Sequence, residues 1–369
     1  MQKELLEEIE RLPDVSEDAA EAFKSEMGRM VEKVNRIMAR RSDIQVLTGG
    51  APVSVLFDNH KNHALFMSSV FSLNMLQLLA DTVPWAYRTY HNHGFSYSYF
   101  PAHLQSWRTV IPESLTADNA AAILRIYEWI ESRHETFIEL AENDVPQPSA
   151  AAGPHSEDFD AFLRSLLEGD REKSLAIARR FVSNPSELFE FYLYFIQPAM
   201  YEIGNLWEKG EISTAREHLA SAIVNRIMAV QYVEQMRTSD KIRGTVVVTA
   251  ATNEFHEIGA TMVANTLEFD GWDVCYLGAN TPNEDLLGFV SQTAPDILAI
   301  SSSLSLNLVS IRDIIREIRT WPREKQPKIM AGGLSFKNHP DLPEKLGADG
   351  YAPDASKAVE LARTWQKEA

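Results

Sequence analysis

A single cysteine, Cys275, stands among 369 residues, so no disulfide can form within the chain and no cysteine-rich metal site exists. Positive charge is scarce: 35 Lys and Arg face 52 Asp and Glu, a formal charge of −17. DNA affinity rests largely on Lys and Arg neutralising phosphates, so a nucleic-acid partner is not expected. No stretch reaches the roughly 18 apolar residues that a membrane span requires, and no membrane partner is expected. The opening MQKELLEEIERLPD is charged and lacks the apolar core of a signal peptide, which points to a cytoplasmic protein. What remains is ordinary for a globular chain, 45% hydrophobic and 24% charged, and long enough for two or three domains.

Residues 1–142 read as an all-α domain. The segment 17–41 mixes apolar and charged residues at helical spacing and ends in Arg40 and Arg41, suited to a helix C-terminus. Further helices are predicted at 61–82 and 117–142, on either side of an aromatic stretch from Trp85 to Trp107. Residues 143–155, NDVPQPSAAAGPH, have little to bury and read as a linker. Residues 156–240 return to helical periodicity, with helices near 171–182, 187–208 and 214–236 after a first one, and read as a small four-helix bundle.

From 241 to 369 the pattern alternates. TVVVTA (245–250), WDVCYLG (272–278), DILAISSS (296–303) and KIMAGG (328–333) are strand-like, and helical segments near 258–269, 284–293 and 307–319 separate them. With a last strand near Gly350–Tyr351, this predicts a doubly wound, Rossmann-like α/β domain of five parallel strands. Such folds bind ligands beyond the carboxyl ends of their strands.

The loop after the first strand reads Glu254-Phe255-His256-Glu257-Ile258-Gly259. After Gly259 come 42 residues (260–301), then Ser302-Ser303-Leu304; 27 more (305–331) lead to Gly332-Gly333. These elements resemble the D-x-H-x-x-G, S-x-L and G-G signature of cobalamin-binding domains, as in methionine synthase and the light-sensing cobalamin repressors. The resemblance implies that His256 replaces the cofactor's benzimidazole beneath cobalt, a task suited to a neutral imidazole. Glu254 stands where the family more often has Asp and would orient the ring's other nitrogen. Gly259, Ser302, Ser303, Leu304, Gly332 and Gly333 would give the nucleotide tail space and polar contacts.

Upstream, Trp207 and the pair Glu217-His218 are separated by nine residues (208–216). This resembles the W-x9-E-H pattern of CarH-type photoreceptors, whose helical bundle caps adenosylcobalamin. The resemblance places Trp207 against the adenosyl group, Glu217 in hydrogen-bonding reach of it and His218 close by. Glu208 departs from the pattern, since that family has a histidine there, and leaves the upper cobalt ligand after photolysis open.

The stretch 85–107 holds eight aromatic residues and three histidines. It is open to three readings: an aromatic core, a metal site from His91, His93 and His103, or a site for a planar chromophore. Joined to a capped cobalamin domain, it resembles the photocobilins, photoreceptors that pair adenosylcobalamin with biliverdin. That resemblance implies a non-covalent bilin among Arg88, Tyr90, His91, His93, Tyr97, Tyr99, His103, Trp107 and Arg108. The expectation is therefore a light sensor rather than an enzyme, with a light-dependent homo-oligomer and a downstream protein partner that the sequence does not identify. The alternative is a corrinoid carrier of a methyltransferase system.

Overall fold

A computed structural model describes residues 2–143, 156–235 and 243–368. The chain divides into two compact units, one of residues 1–147 with 208–211 and one of residues 148–207 with 212–369. The linker expected at 143–155 lies, apart from Asn143, outside the described residues.

The described residues of the first unit form helices α1 (Gln2–Ile9), α2 (Glu17–Ala39), α3 (Ile44–Leu47), α4 (Val53–Leu73), α5 (Leu78–Asn92), α6 (Tyr99–Ser114), α7 (Ala117–Ser132) and α8 (His134–Asn143). Ser16 caps α2 by accepting the Ala19 N–H at 3.2 Å, and Phe23, Met30, Val34 and Met38 bury its inner stripe. The single helix expected at 61–82 is two. Asn74 turns left-handed (φ 52°) and ends α4, and its side chain accepts the Val15 N–H at 3.1 Å. The helix expected at 117–142 likewise divides at Arg133. The aromatic stretch supplies the end of α5 and the start of α6, where Tyr99, Phe100 and Trp107 are buried.

The second unit opens with α9 (Ser156–Glu168), α10 (Arg171–Phe181) and α11 (Pro185–Phe191), which continues through a π turn (Tyr192–Ile196) into α12 (Gln197–Glu208). Helix α13 (Thr214–Gln235) follows. Asn184 and Pro185 start α11 as N-cap and first-turn proline, while the π turn left no mark in the apolar periodicity.

Five parallel strands come next: β1 (Thr245–Ala250), β2 (Asp273–Tyr276), β3 (Ile297–Ser301), β4 (Lys328–Gly332) and β5 (Gly350–Ala352), in spatial order β2-β1-β3-β4-β5. Helices α14 (Ile258–Phe269), α15 (Asn283–Thr293), α16 (Leu308–Arg319), α17 (Leu342–Lys345) and α18 (Ala355–Glu368) lie between and after them. β1 and β3 are buried along nearly their whole length, as strands covered on both faces must be. The preceding helices share a core with this domain through Met262 and Ala355. Polar clamps add to it: Asn265 donates to the Tyr192 hydroxyl at 2.8 Å, and Tyr232 donates to Glu268 at 2.8 Å. The chain leaves β1 for β2 on one side and then crosses to β3 on the other. That reversal opens a crevice at the carboxyl ends of β1 and β3.

Candidate functional site

The crevice is furnished by the loop that follows β1. Glu254 N–H donates back to the Ala251 carbonyl at 3.0 Å, and Asn280 N–H donates to the Glu254 carbonyl at 3.0 Å. Asn253, at φ 62°, makes the tight turn between them. This geometry drives the Glu254 carboxylate inward, where its side chain is fully buried, while the His256 side chain stays 62% exposed.

Buried carboxylates need donors, and Glu254 has them on both oxygens. Oε1 accepts the His256 backbone N–H at 3.0 Å and pairs with His256 Nδ1 at 2.5 Å. Oε2 accepts the backbone N–H groups of Ser303 at 2.7 Å and Leu304 at 3.2 Å, and the Asn307 side-chain amide at 3.2 Å. Burial pushes the Glu254 carboxyl up, but the His256 hydrogen bond and charge, with the backbone donors, overcome it and hold it below the usual value. His256 is raised, first by that same hydrogen bond, against burial, and then by the charges of Glu254 and of Glu217 on α13. The extra methylene of Glu254 relative to Asp is thus accommodated. Nδ1 is committed to the carboxylate, and Nε2 is left as the ring nitrogen for a ligand.

The glycines expected to make room for a ligand divide in two. A Cβ on Gly332 would stand 2.5 Å from the Ala352 carbonyl oxygen, and one on Gly333 (φ 103°) 2.2 Å from that of Ser302. Both are required by the chain's own backbone. Gly259, in the first turn of α14, is exposed and has no heavy atom within 4 Å of where a Cβ would be. The Ser302 hydroxyl, buried, donates to the Leu304 carbonyl at 3.0 Å, so it shapes the loop instead of facing outward as expected.

Trp207, Glu217 and His218 make their own local network. The Trp207 indole N–H donates to Thr214 Oγ1 at 3.1 Å. Glu217 pairs with His218 Nδ1 at 2.5 Å and accepts the Ser221 hydroxyl at 2.7 Å. Glu217 is one-quarter exposed and His218 about three-quarters.

The residues singled out in the aromatic stretch separate. His91 and His93 are exposed, with His91 stacked on Tyr97 at 4.0 Å. His103 is buried, and its ring lies 4.8 Å from that of His60 and 4.6 Å from that of His63, both on α4. Tyr90 lies 6.1 Å from buried Tyr99, while Trp107 donates its N–H to His103 Nε2 at 3.2 Å. A metal site from His91, His93 and His103 is therefore not assembled, and no group of three or more metal-ligating side chains is placed to hold an ion among the described residues. The two arginines expected around a bilin are ion-paired in this structure: Arg88 with Glu208 at 2.5 Å, within the same unit, and Arg108 with Glu128 at 3.0 Å and with Glu131. Glu208, the departure noted in the sequence, thus serves an ion pair.

Two family models, each described as a B12 binding domain, match the chain, one over residues 158–231 and one over residues 244–360. The chain carries a cobalamin-binding module. Dimethylamine corrinoid protein 3 of Methanosarcina acetivorans is 26% identical over 179 residues, 48% of this chain and 82% of that protein. The trimethylamine corrinoid protein of Methanosarcina barkeri is 27% identical over 162 residues, 43% of this chain and 74% of its own. The structure of the Methanosarcina barkeri monomethylamine corrinoid protein shares the fold, with a TM-score of 0.50 at 19% identity over 56% of this chain and 98% of that one. Both B12-binding matches fall between residues 158 and 360.

These findings correct the expectation of a light sensor with adenosylcobalamin and biliverdin. The relatives of the module are methylamine corrinoid proteins, which favours the alternative reading. In this structure the Trp207 indole N–H bonds Thr214, Glu217 bonds His218 and Ser221, and Arg88 and Arg108 are ion-paired. The sequence resemblance rested on spacing, which records order along the chain but not what each side chain bonds to. Asn307 went unmarked in that reading. Its one signal is a polar residue three positions beyond Leu304.

Proposed function

We propose that this protein is a corrinoid carrier, holding cobalamin on His256 and presenting it in turn to separate methyltransferase proteins. The observation that carries the reading is an outward imidazole clamped by a buried carboxylate at the carboxyl edge of β1 and β3. It occurs in a module whose relatives are methylamine corrinoid proteins. When bound, the corrinoid supplies a cobalt centre able to accept and give up a methyl group.

The protein's part is to bind and orient. Glu254 keeps the His256 proton on Nδ1, so the Nε2 lone pair is available to a metal. Gly259 leaves the first turn of α14 open for close approach of a ligand. Gly333 lets the β4 loop pass close to Ser302 in the β3 loop, and Gly332 lets the end of β4 lie close to Ala352 of β5. The helices of 156–235, read as a four-helix cap, bring Trp207, Glu217 and His218 to the module. Trp207 and Glu217 are partly exposed and His218 is exposed, and their polar atoms bond within the helices.

Two measurements test this. The full chain is reconstituted with hydroxocobalamin, and retained corrinoid is measured after gel filtration. It is then reduced and mixed with a methylamine:corrinoid methyltransferase and its methylamine, and methyl uptake is followed by absorption. Stoichiometric retention and methyl uptake are expected. Loss of corrinoid on the column overturns the binding assignment; retention without methyl uptake from any of the methylamines overturns the carrier reading.

A further inference from the structure

Glu254 joins the two loops of the crevice, but its two oxygens face different jobs. Oε1 belongs to His256, through both the backbone N–H and Nδ1. Oε2 belongs to the β3 loop, through two backbone N–H groups and the side chain of Asn307. Among these, Asn307 is the side chain that reaches the carboxylate from outside its own loop. It is 2% exposed, and its position is set by a 3-10 turn, Ser305–Asn307, in which its N–H donates to the Leu304 carbonyl at 3.1 Å. Ser302 makes no such contact with the carboxylate, because its hydroxyl is spent on Leu304.

We propose that Asn307 is a positioning residue for cobalt ligation, acting on His256 through Glu254. The inference rests on the reading that His256 is the axial ligand. A glutamate has one more rotatable bond than an aspartate, so its carboxylate plane needs more restraint if one oxygen is to stay aimed at an imidazole. The two backbone donors hold Oε2 from the β3 loop, and the Asn307 amide adds a third, charge-assisted bond from the turn that begins α16. With the plane fixed, Oε1 holds Nδ1–H and the ring presents Nε2. Without Asn307 the carboxylate can turn about its last bond, the imidazole loses its register, and the fraction of cofactor carrying the His256 ligand falls. Partners that orient a metal-bound histidine are worth about 10- to 100-fold in affinity or activity when removed.

The test uses the full chain labelled with 15N-histidine, reconstituted with hydroxocobalamin and reduced by one electron, with Asn307→Leu and Asn307→Asp as variants. Leucine removes the donor at similar size, and aspartate replaces it with an acceptor. Electron paramagnetic resonance separates a 15N imidazole on cobalt, a doublet splitting, from the cofactor's own 14N benzimidazole, a triplet. The wild type is expected to show the doublet. Each variant that matches the wild type in melting temperature and corrinoid content is expected to lower the ratio of ligated to unligated His256 about tenfold or more. A folded, loaded variant with an undiminished doublet overturns the role of Asn307. Should both variants melt early, the same spectrum read on Asn307→Ser, whose smaller side chain also withdraws the amide, decides by the same criterion. A doublet absent in the wild type, or surviving in His256→Ala, overturns the axial-ligand reading itself and the inference with it.

Discussion

In the N-terminal unit, His60 and His103 are buried against one another and against His63, and the three rings hydrogen-bond Asn35, Trp107 and Tyr127 respectively, groups that carry no charge. Burial pushes His60 down to about 4 and His63 to about 3; His103 is well below its ordinary value, from burial first and then from its two neighbours. In the other unit His256 stands 62% exposed with a fully buried carboxylate on Nδ1, and its proton affinity is raised. The same side chain is a buried packing element in one place and an outward ring oriented by a carboxylate in the other. What decides is the partner on the second ring nitrogen. Histidine count and aromatic neighbours, which drew attention to residues 85–107, do not report it.

Acid should separate the two regions most strongly. His60 and His63 bind protons in the unfolded chain near pH 6.5 but in the folded unit only near pH 4 and pH 3, and His103 is shifted in the same direction, so stability is lost as pH falls from 6.5 toward 4. At pH 5 the expected loss is about 2 kcal/mol for each of His60 and His63. Urea melts of the full chain at pH 7 and pH 5, read by the fluorescence of Trp107 against a chain lacking it, check this. A pH-independent midpoint for that signal would break the contrast.

Removing the buried carboxylate comes next. Glu254→Leu strands the N–H groups of Ser303 and Leu304 and the amide of Asn307 in the interior, at an expected cost of about 2–4 kcal/mol to the second unit. Denaturant unfolding read at the α/β domain checks it, and a loss below about 0.5 kcal/mol would show that the loop finds other donors and acceptors.

A third effect contrasts two motif glycines. Gly333→Ala forces a side chain into a left-handed residue and against the Ser302 carbonyl, so a loss of about 1–3 kcal/mol is expected. Gly259→Leu meets open space, so thermal unfolding should shift by less than about 0.5 kcal/mol while corrinoid retention is lost. Equal destabilisation by the two substitutions, or full retention in Gly259→Leu, would remove the distinction.

Much of the C-terminal domain was legible because its signals are local. The run Thr245–Ala250 is β-branched and ends at a loop, and the predicted boundaries of β1 and α14 match those observed. The motif residues around His256 were legible for the same reason: they are few, spaced along the chain and chemically specific. The rest is three-dimensional. The break at Asn74 depends on one residue adopting a left-handed conformation, and the π turn at Tyr192–Ile196 leaves the apolar pattern unchanged. His60 and His63 sit on α4, some forty residues before His103, and nothing in the intervening sequence marks their meeting. Asn307 reaches Glu254 across 53 residues of chain. The W-x9-E-H spacing suggested an adenosyl cap, whereas relatives of the module are methylamine corrinoid proteins.

The central claim is tested most directly by reconstituting wild type and His256→Ala with hydroxocobalamin and comparing retained corrinoid and visible spectrum. The account predicts that the wild type keeps the cofactor with a histidine-ligated spectrum, while the variant either releases it or holds it with the spectrum of the free cofactor. Identical retention and identical spectra in the two proteins would contradict it.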